Sequence, residues 1–366
     1  HAVVQIKAER FEQMQRASGI CAHPYNVPGI GRNFRFPKND VKHVDKGFQT
    51  SRDKGNQVTS DPRLAVDFCG MEFSTPLVLL SGCVGFGEEY TRVEGFSNTD
   101  AGAICLKGTT LEPRLGNPAH RVFETPAGML NAIGLQNPGA HTVVNDILPR
   151  LDFSETRFIA NVSGSTIEEY EAVTRIFDDS PIDAIEINIS CPNVKEGGVT
   201  FGNDPDMSAR VVAACRAATT KPLITKLSPN QTDIAANARG CIEAGTDAFA
   251  VINTLMGMAI DNETQRPVIG NNQGGLSGPA IKPVALFKVF QVHQVAAPHQ
   301  IPIIGQGGIA NAADAIEFLL AGASAVGVGT ALFYEPLVCP QINAGISAYL
   351  DRHGVERISD LSGRLQ

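Results

Sequence analysis

The sequence predicts an α/β protein: a (β/α)8 TIM barrel with an N-terminal extension and loop excursions covering the carboxyl end of the barrel. Three observations lead there. From Leu64 onward, eight short apolar runs with strand character alternate with helix-length segments, the pattern of parallel βα units. Two intervening helices end alike, Glu243-Ala-Gly-Thr-Asp-Ala-Phe249 and Leu320-Ala-Gly-Ala-Ser-Ala-Val326, each with glycine at the C′ position before an apolar strand. Residues able to do chemistry gather just past the apolar runs, where such barrels place their sites.

The bulk numbers agree. A chain of 366 residues, 43% apolar and with 36 glycines, suits a compact α/β protein of one large domain or two ordinary ones. The net charge of −8 argues against non-specific binding of a polyanion, so no nucleic-acid partner is expected. No apolar run reaches membrane-spanning length, and His1 to Arg16 are mixed polar rather than a signal peptide. The eight cysteines include no C-x-x-C pair and no zinc pattern, which reads as a reduced cytoplasmic protein without a metal site. Nothing resembles a cluster-binding run either, so an iron–sulfur cluster would have to sit on another chain.

Residues 1–62 form an extension rich in Lys, Arg, Asn and Gln, with a possible helix over Lys7–Ala17 and prolines and glycines through Pro24–Gly31. It reads as a solvated arm or as a segment for docking a partner or forming an oligomer. The domain expected over 63–366 opens with a hairpin, Leu64–Phe68 and Met71–Phe73, placed at the barrel floor. The barrel strands follow: Leu77–Gly82, Ala103–Gly108, Arg157–Gly164, Ala184–Ser190, Leu223–Ser228, Ala248–Thr254, Ile301–Gly305 and Ala325–Thr330. Ser165-x-x-Glu168 is a capping-box pattern, and Ile167, Tyr170, Val173 and Phe177 give its helix an apolar stripe. Asp233 and Asn311 are expected N-caps, and Thr99-Asp-Ala-Gly-Ala-Ile104 faintly echoes the helix-end repeat. The connections from Thr109 to about Leu151 and from Met256 to Leu276 are too long for plain barrel loops and are expected to form a cover.

The strand ends supply the candidate site. Strands one and two give Ser81-Gly82-Cys83 and Lys107-Gly108-Thr109; strand three gives Asn161; strand four gives Asn188, Cys191 and Asn193. Strand five gives Lys226, strand six Asn253-Thr254, strand seven Gly307-Gly308 and strand eight Gly329-Thr330. Glycine-rich turns after strands seven and eight are where barrels of this type frequently hold phosphate. The amides of Asn131, Asn188, Asn193 and Asn253 each offer a donor and an acceptor, suiting a planar ligand with alternating C=O and N–H. Lys107 and Lys226 lie among apolar residues, where an ammonium needs an anion or loses its proton. Each is read as half of a structural ion pair, or as holding a substrate carboxylate or a delocalised anion. Cys191 follows the strand Asp183-Ala-Ile-Glu-Ile-Asn-Ile-Ser190 and is either an ordinary buried thiol or a reactive one.

Seven motifs in register resemble dihydroorotate dehydrogenases: Cys83-Val-Gly-Phe-Gly87, Lys107-Gly-Thr-Thr110, Asn131-Ala-Ile-Gly-Leu-Gln-Asn-Pro-Gly139, Asn161-Val-Ser-Gly164, Asn188-Ile-Ser-Cys-Pro-Asn193, Asn253-Thr254 and Gly274-Gly-Leu-Ser-Gly-Pro279. The likeness runs from about Leu64 to the C-terminus; residues 1–62 depart from it. Cysteine at 191 resembles class 1, and Val194-Lys-Glu-Gly-Gly198 together with Gly274–Pro283 resembles the catalytic subunit of subclass 1B.

The resemblance implies FMN-dependent oxidation of dihydroorotate to orotate in pyrimidine biosynthesis. Cys191 would be the general base at C5, with hydride passing from C6 to N5 of FMN. Lys107, the stretch Asn131, Ala132, Ile133, Gly134 and Leu135, and Asn188, Asn193, Asn253 and Thr254 would contact substrate. Ser81, Gly82, Cys83, Lys107, Gly108, Asn161, Asn188, Lys226, Ile252, Gly278, Gly307, Gly308, Gly329 and Thr330 would hold FMN, Lys226 near its N1–C2=O edge. A homodimeric core is implied, with a partner subunit carrying FAD and a [2Fe–2S] cluster and reducing NAD. Fumarate as acceptor, as in subclass 1A, stays open. So do an FMN-dependent dihydropyrimidine or dihydrouridine oxidoreductase and, outside redox chemistry, a Schiff-base lysine aldolase or a barrel that only binds a partner.

Overall fold

A computed structural model describes residues 61–189, 195–196 and 199–366. The helix expected in the extension lies outside these residues, as do Cys191 and Asn193.

Eight parallel strands close into a barrel: β1 Leu77–Leu79, β2 Ala103–Cys105, β3 Arg157–Val162, β4 Ala184–Asn188, β5 Leu223–Leu227, β6 Ala248–Val251, β7 Ile303–Gln306 and β8 Ala325–Val328. Each pairs with its sequence neighbours, and β8 pairs back to β1. The expected strands are all present, but the ladders stop short of several expected carboxyl ends, β1 at Leu79 and β2 at Cys105. Leu80 and Leu106 still donate to Val328 and Ile159 of the neighbouring strands, and past them the partners lie in loops: Cys83 N–H donates to the Leu80 carbonyl and Lys107 N–H to the Gly85 carbonyl. Lys107 therefore stands just past its strand rather than inside it.

The ring of helices comprises α1 Ile167–Asp178, α2 Pro205–Ala218, α3 Ile234–Glu243, α4 Lys282–Ala296, α5 Ala312–Leu320 and α6 Val338–His353. Asp233 and Asn311 cap α3 and α5, accepting from the N–H groups of Ala236 and Asp314 at 2.9 and 3.1 Å. Gly245 and Gly322 follow α3 and α5 with φ of 95° and 117°, conformations that a Cβ would disfavour. The N-cap of α1 is Thr166, one residue later than expected, and the reciprocal bond of a capping box is replaced by one to the residue before it. Thr166 accepts from Glu169 N–H, while the Glu169 carboxylate takes Ser165 N–H at 2.6 Å. The Ser165 hydroxyl is engaged elsewhere, accepting from Arg114 at 2.6 Å. The echo before β2 is no helix end: a 3-10 turn, Asn98–Asp100, precedes it, and a Cβ on Gly102 would fall on the Thr75 carbonyl.

At the amino end of the barrel, Val66–Phe68 pairs with Met71–Phe73 in the expected hairpin. Phe68 and Phe73 are fully buried and stacked, with ring centroids 5.4 Å apart. At the other end the two long connections do not form separate loops. Leu255–Gly257, Gly274–Ser277, Gly128–Asn131 and Val122–Thr125 make one four-stranded antiparallel sheet, joined where Gly275 pairs with Asn131. Arg114 ties the first connection to the start of α1 through Ser165 and Glu169.

Candidate active site

Period-2 geometry in a closed barrel sends alternate side chains inward. On β4 the isoleucines Ile185 and Ile187 are buried outward against the helices, and Glu186 and Asn188 point into the barrel. Register sets their neighbours: Asn161 lies opposite Glu186, and Lys226 opposite Asn188. One cavity of about 560 Å³ opens at the carboxyl ends of the strands beneath the four-stranded sheet. Every described residue expected to contact substrate or FMN lines it, whereas Thr109 is buried beside it and does not.

The cavity is lined by apolar and polar side chains together. Ile133, Leu135 and Ile252 face it, as do the amides of Asn131, Asn188 and Asn253. Asn253 Nδ2 donates to Asn188 Oδ1 at 3.1 Å, and Asn131 Nδ2 to the Gly275 carbonyl at 3.3 Å. The Tyr170 hydroxyl on α1 reaches the Asn188 carbonyl at 2.7 Å and so fixes the end of β4. At the far end, the Thr330 hydroxyl donates to Ser277 at 2.9 Å. There Gly307 and Gly308 adopt φ of 129° and 93°. A Cβ on Gly308 would stand 2.8 Å from the Gly278 carbonyl, so the two turns can approach only because it is glycine.

Lys226 is 6% exposed, and its Nζ lies 3.3 Å from Glu186 Oε1. Burial pulls its pKa down, yet the Glu186 carboxylate, with smaller contributions from Cys105 and Cys83, holds the ammonium above its ordinary value. Glu186 is the residue that sequence reasoning missed. Its Oε1 also accepts from Asn161 Nδ2 and from the Cys105 thiol. A carboxylate in an otherwise apolar strand was the available signal, since a buried charge requires a partner. Gln306 was missed too; its Nε2 donates to the Ile252 carbonyl at 2.9 Å. Cys83 lies between the two lysines' fields: burial pushes its thiol up to about 11, against the pull of Lys226 and Lys107.

The residues present fit a flat heteroaromatic group with an anionic tail. Asn161 Oδ1 and Gln306 Oε1 are buried acceptors without a partner among the described residues, and both side chains border the cavity. A ligand bringing N–H or O–H donors would satisfy them. The lysines suit negative charge, and the glycine turns beside β7 and β8 suit a phosphate.

A closed (β/α)8 barrel with a polar cavity at the carboxyl ends of its strands is the architecture of a barrel enzyme. The chain belongs to the dihydroorotate dehydrogenase family, FMN-dependent oxidoreductases of pyrimidine biosynthesis whose family model matches residues 63–350. It is 50% identical over 303 residues to "Dihydroorotate dehydrogenase B (NAD(+)), catalytic subunit" of Geobacillus kaustophilus (strain HTA426), covering 82% of this chain and 95% of that protein. A protein with the same description from Pelobacter propionicus is 50% identical over 306 residues, 83% of this chain and 99% of the relative. No helix among the described residues is long and apolar enough to cross a membrane.

Proposed function

We propose that this chain is the cytoplasmic catalytic subunit of an NAD-linked, type B dihydroorotate dehydrogenase, oxidising dihydroorotate to orotate on bound FMN. The catalytic unit spans 63–366, and residues 1–62 are an extension outside it. The observation that carries the reading is the lining of one cavity by Lys107, Asn131, Asn188, Asn253, Lys226 and the glycine turns.

FMN, when bound, supplies the acceptor for the hydride leaving C6 of the substrate. The chain does the rest. Cys191 takes the proton from C5; a thiol is suited to this when its pKa approaches the working pH. Lys107 holds the substrate carboxylate. Asn131, Asn188, Asn193 and Asn253, with Thr254 and the backbone from Ala132 through Leu135, orient the pyrimidine ring. Lys226 would offer positive charge to the N1–C2=O edge of the flavin and so favour its reduced, anionic form. Ser81, Gly82, Cys83, Gly108, Asn161 and Ile252 border the ring, and Gly278, Gly307, Gly308, Gly329 and Thr330 take the phosphate. A partner subunit bearing FAD and a [2Fe–2S] cluster would supply the route for electrons to NAD, on a homodimeric catalytic core.

The test is a visible spectrum of the purified chain followed by dihydroorotate under anaerobic conditions. A yellow protein bleached by dihydroorotate and not by dihydrouracil supports the reading. Bleaching by dihydrouracil instead sinks the substrate assignment, and a chain that takes up no FMN sinks the flavin chemistry. Re-oxidation by fumarate rather than by NAD through a partner moves the chain to the fumarate-using type.

A further inference from the structure

Beneath Lys226 lies a carboxylate with no part in the proposed chemistry. Glu186 is 1% exposed, inside the barrel on β4, one inward layer below Asn188. Its Oε1 gathers three donors from three other strands: Asn161 Nδ2 on β3, the Cys105 thiol on β2 at 3.3 Å and Lys226 Nζ on β5 at 3.3 Å. Asn161 and Lys226 also border the cavity, whereas Glu186 does not. The carboxylate thus reaches the site only through the groups it holds.

We propose that Glu186 is a positioning residue that keeps the Lys226 ammonium protonated and fixed in both redox states of the flavin, so that reduction draws no proton onto this lysine. The proposal rests on the FMN reading and concerns the chain's own charge balance. A buried ammonium with no counter-ion tends to lose its proton. With Glu186 neutralised, the lysine would be uncharged beside the oxidised ring and would take up a proton when negative charge arrives at the N1–C2=O edge. The titratable groups facing Lys226 are Glu186 on β4, Cys105 on β2 and Cys83 after β1, the last also within the field of Lys107. Both thiols are held far above neutrality by burial, Cys83 up to about 11 and Cys105 well above its ordinary value. Neither supplies the switch near neutral pH.

The experiment is the midpoint potential of the flavin-loaded protein as a function of pH, for wild type, Glu186→Gln, Lys226→Met and the double variant. Glu186→Gln keeps the side-chain shape and an acceptor for Asn161. Its potential is expected to fall more steeply with pH than wild type by one proton per two electrons. That is a tenfold change in the reduction equilibrium per pH unit, about 30 mV. In the Lys226→Met background the same change is expected to add nothing. Glu186→Asp, which draws the charge back by one methylene, is expected to show the steepening at higher pH, and it carries the test if Glu186→Gln does not fold. Equal slopes in wild type and the Glu186 variants would overturn the proposal, and so would steepening that persists without Lys226. Flavin uptake, read first from the visible spectrum, separates these results from failure of the FMN reading itself.

Discussion

Asn253, just past β6, donates through Nδ2 to the Oδ1 of Asn188 at the end of β4, 3.1 Å away. The amide of Asn253 is oriented from both sides, since its own Oδ1 accepts from Thr254 N–H at 2.8 Å. Asn253→Asp sets a carboxylate oxygen against the Asn188 oxygen, acceptor against acceptor, and adds a negative charge where a carboxylated substrate is proposed to bind. The expected result is at least a tenfold rise in KM for dihydroorotate, with stability lowered by about 1–3 kcal/mol. Asn253→Ala should be milder on both counts. Steady-state kinetics and urea denaturation of the two variants decide it.

Tyr170 connects the helical layer to the cavity. Its ring is fully buried on α1 and its hydroxyl donates to the Asn188 carbonyl at 2.7 Å. Tyr170→Phe keeps the packing and deletes this bond, so about 1 kcal/mol of stability should be lost. Because the lost bond anchors the end of β4, KM for dihydroorotate should rise severalfold. A stability loss with unchanged KM would show that α1 does not position Asn188.

Alkaline instability should come from the buried thiols. Burial holds Cys241 and Cys339 up to about 12, against an ordinary 9.0. Below pH 9.0 the thiols keep their protons in both folded and unfolded chains, and their contribution is fully present. Above it the unfolded chain releases protons that the folded chain retains, so stability falls as pH climbs toward 12. Each such thiol contributes a slope of at most about 1.4 kcal/mol per pH unit. Urea midpoints measured across this window should fall, and Cys241→Ala should flatten the decline relative to its own value at neutral pH. A decline as steep in the variant would assign the effect to other groups.

The barrel was legible because its signals are local. Asp233 and Asn311 cap helices through bonds three residues long, and Gly245 and Gly322 end them with positive φ. The cavity residues were legible for a related reason: a polar residue just past an apolar run reaches the carboxyl end of the barrel whatever the details of packing. What stayed hidden depends on distance in sequence. The four-stranded cover joins Asn131 to Gly275 through strands of three or four residues, too short to show a period. Glu186 was hidden by its own alternation. In a half-exposed strand the polar positions face water, whereas Glu186 and Asn188 point into the closed barrel; the register sets Lys226 beside Asn188, and only the inward turn of its long side chain brings the ammonium within 3.3 Å of Glu186. Thr166 displaced Ser165 as the cap of α1 because the Ser165 hydroxyl is taken by Arg114, 51 residues away in sequence.

Gly308 separates backbone strain from cofactor binding. Its φ of 93° disfavours any L side chain, and a Cβ would stand 2.8 Å from the Gly278 carbonyl and 3.0 Å from Lys282 Cβ. Lys282 cannot easily yield, because its Nζ is tied to Asp314 at 2.6 Å and to Glu317. Gly308→Ala should therefore push apart the turns after β7 and before α4, where the phosphate of FMN is proposed to sit. Gly354 provides the control. It follows α6 with φ of 60° and has open space where a Cβ would go, so Gly354→Ala introduces strain alone, about 1 kcal/mol. Both variants should lose stability, but only Gly308→Ala should release flavin, with at least a tenfold weaker affinity in apoprotein titrations followed by flavin fluorescence. Equal flavin retention in the two variants would place the phosphate elsewhere in the cavity.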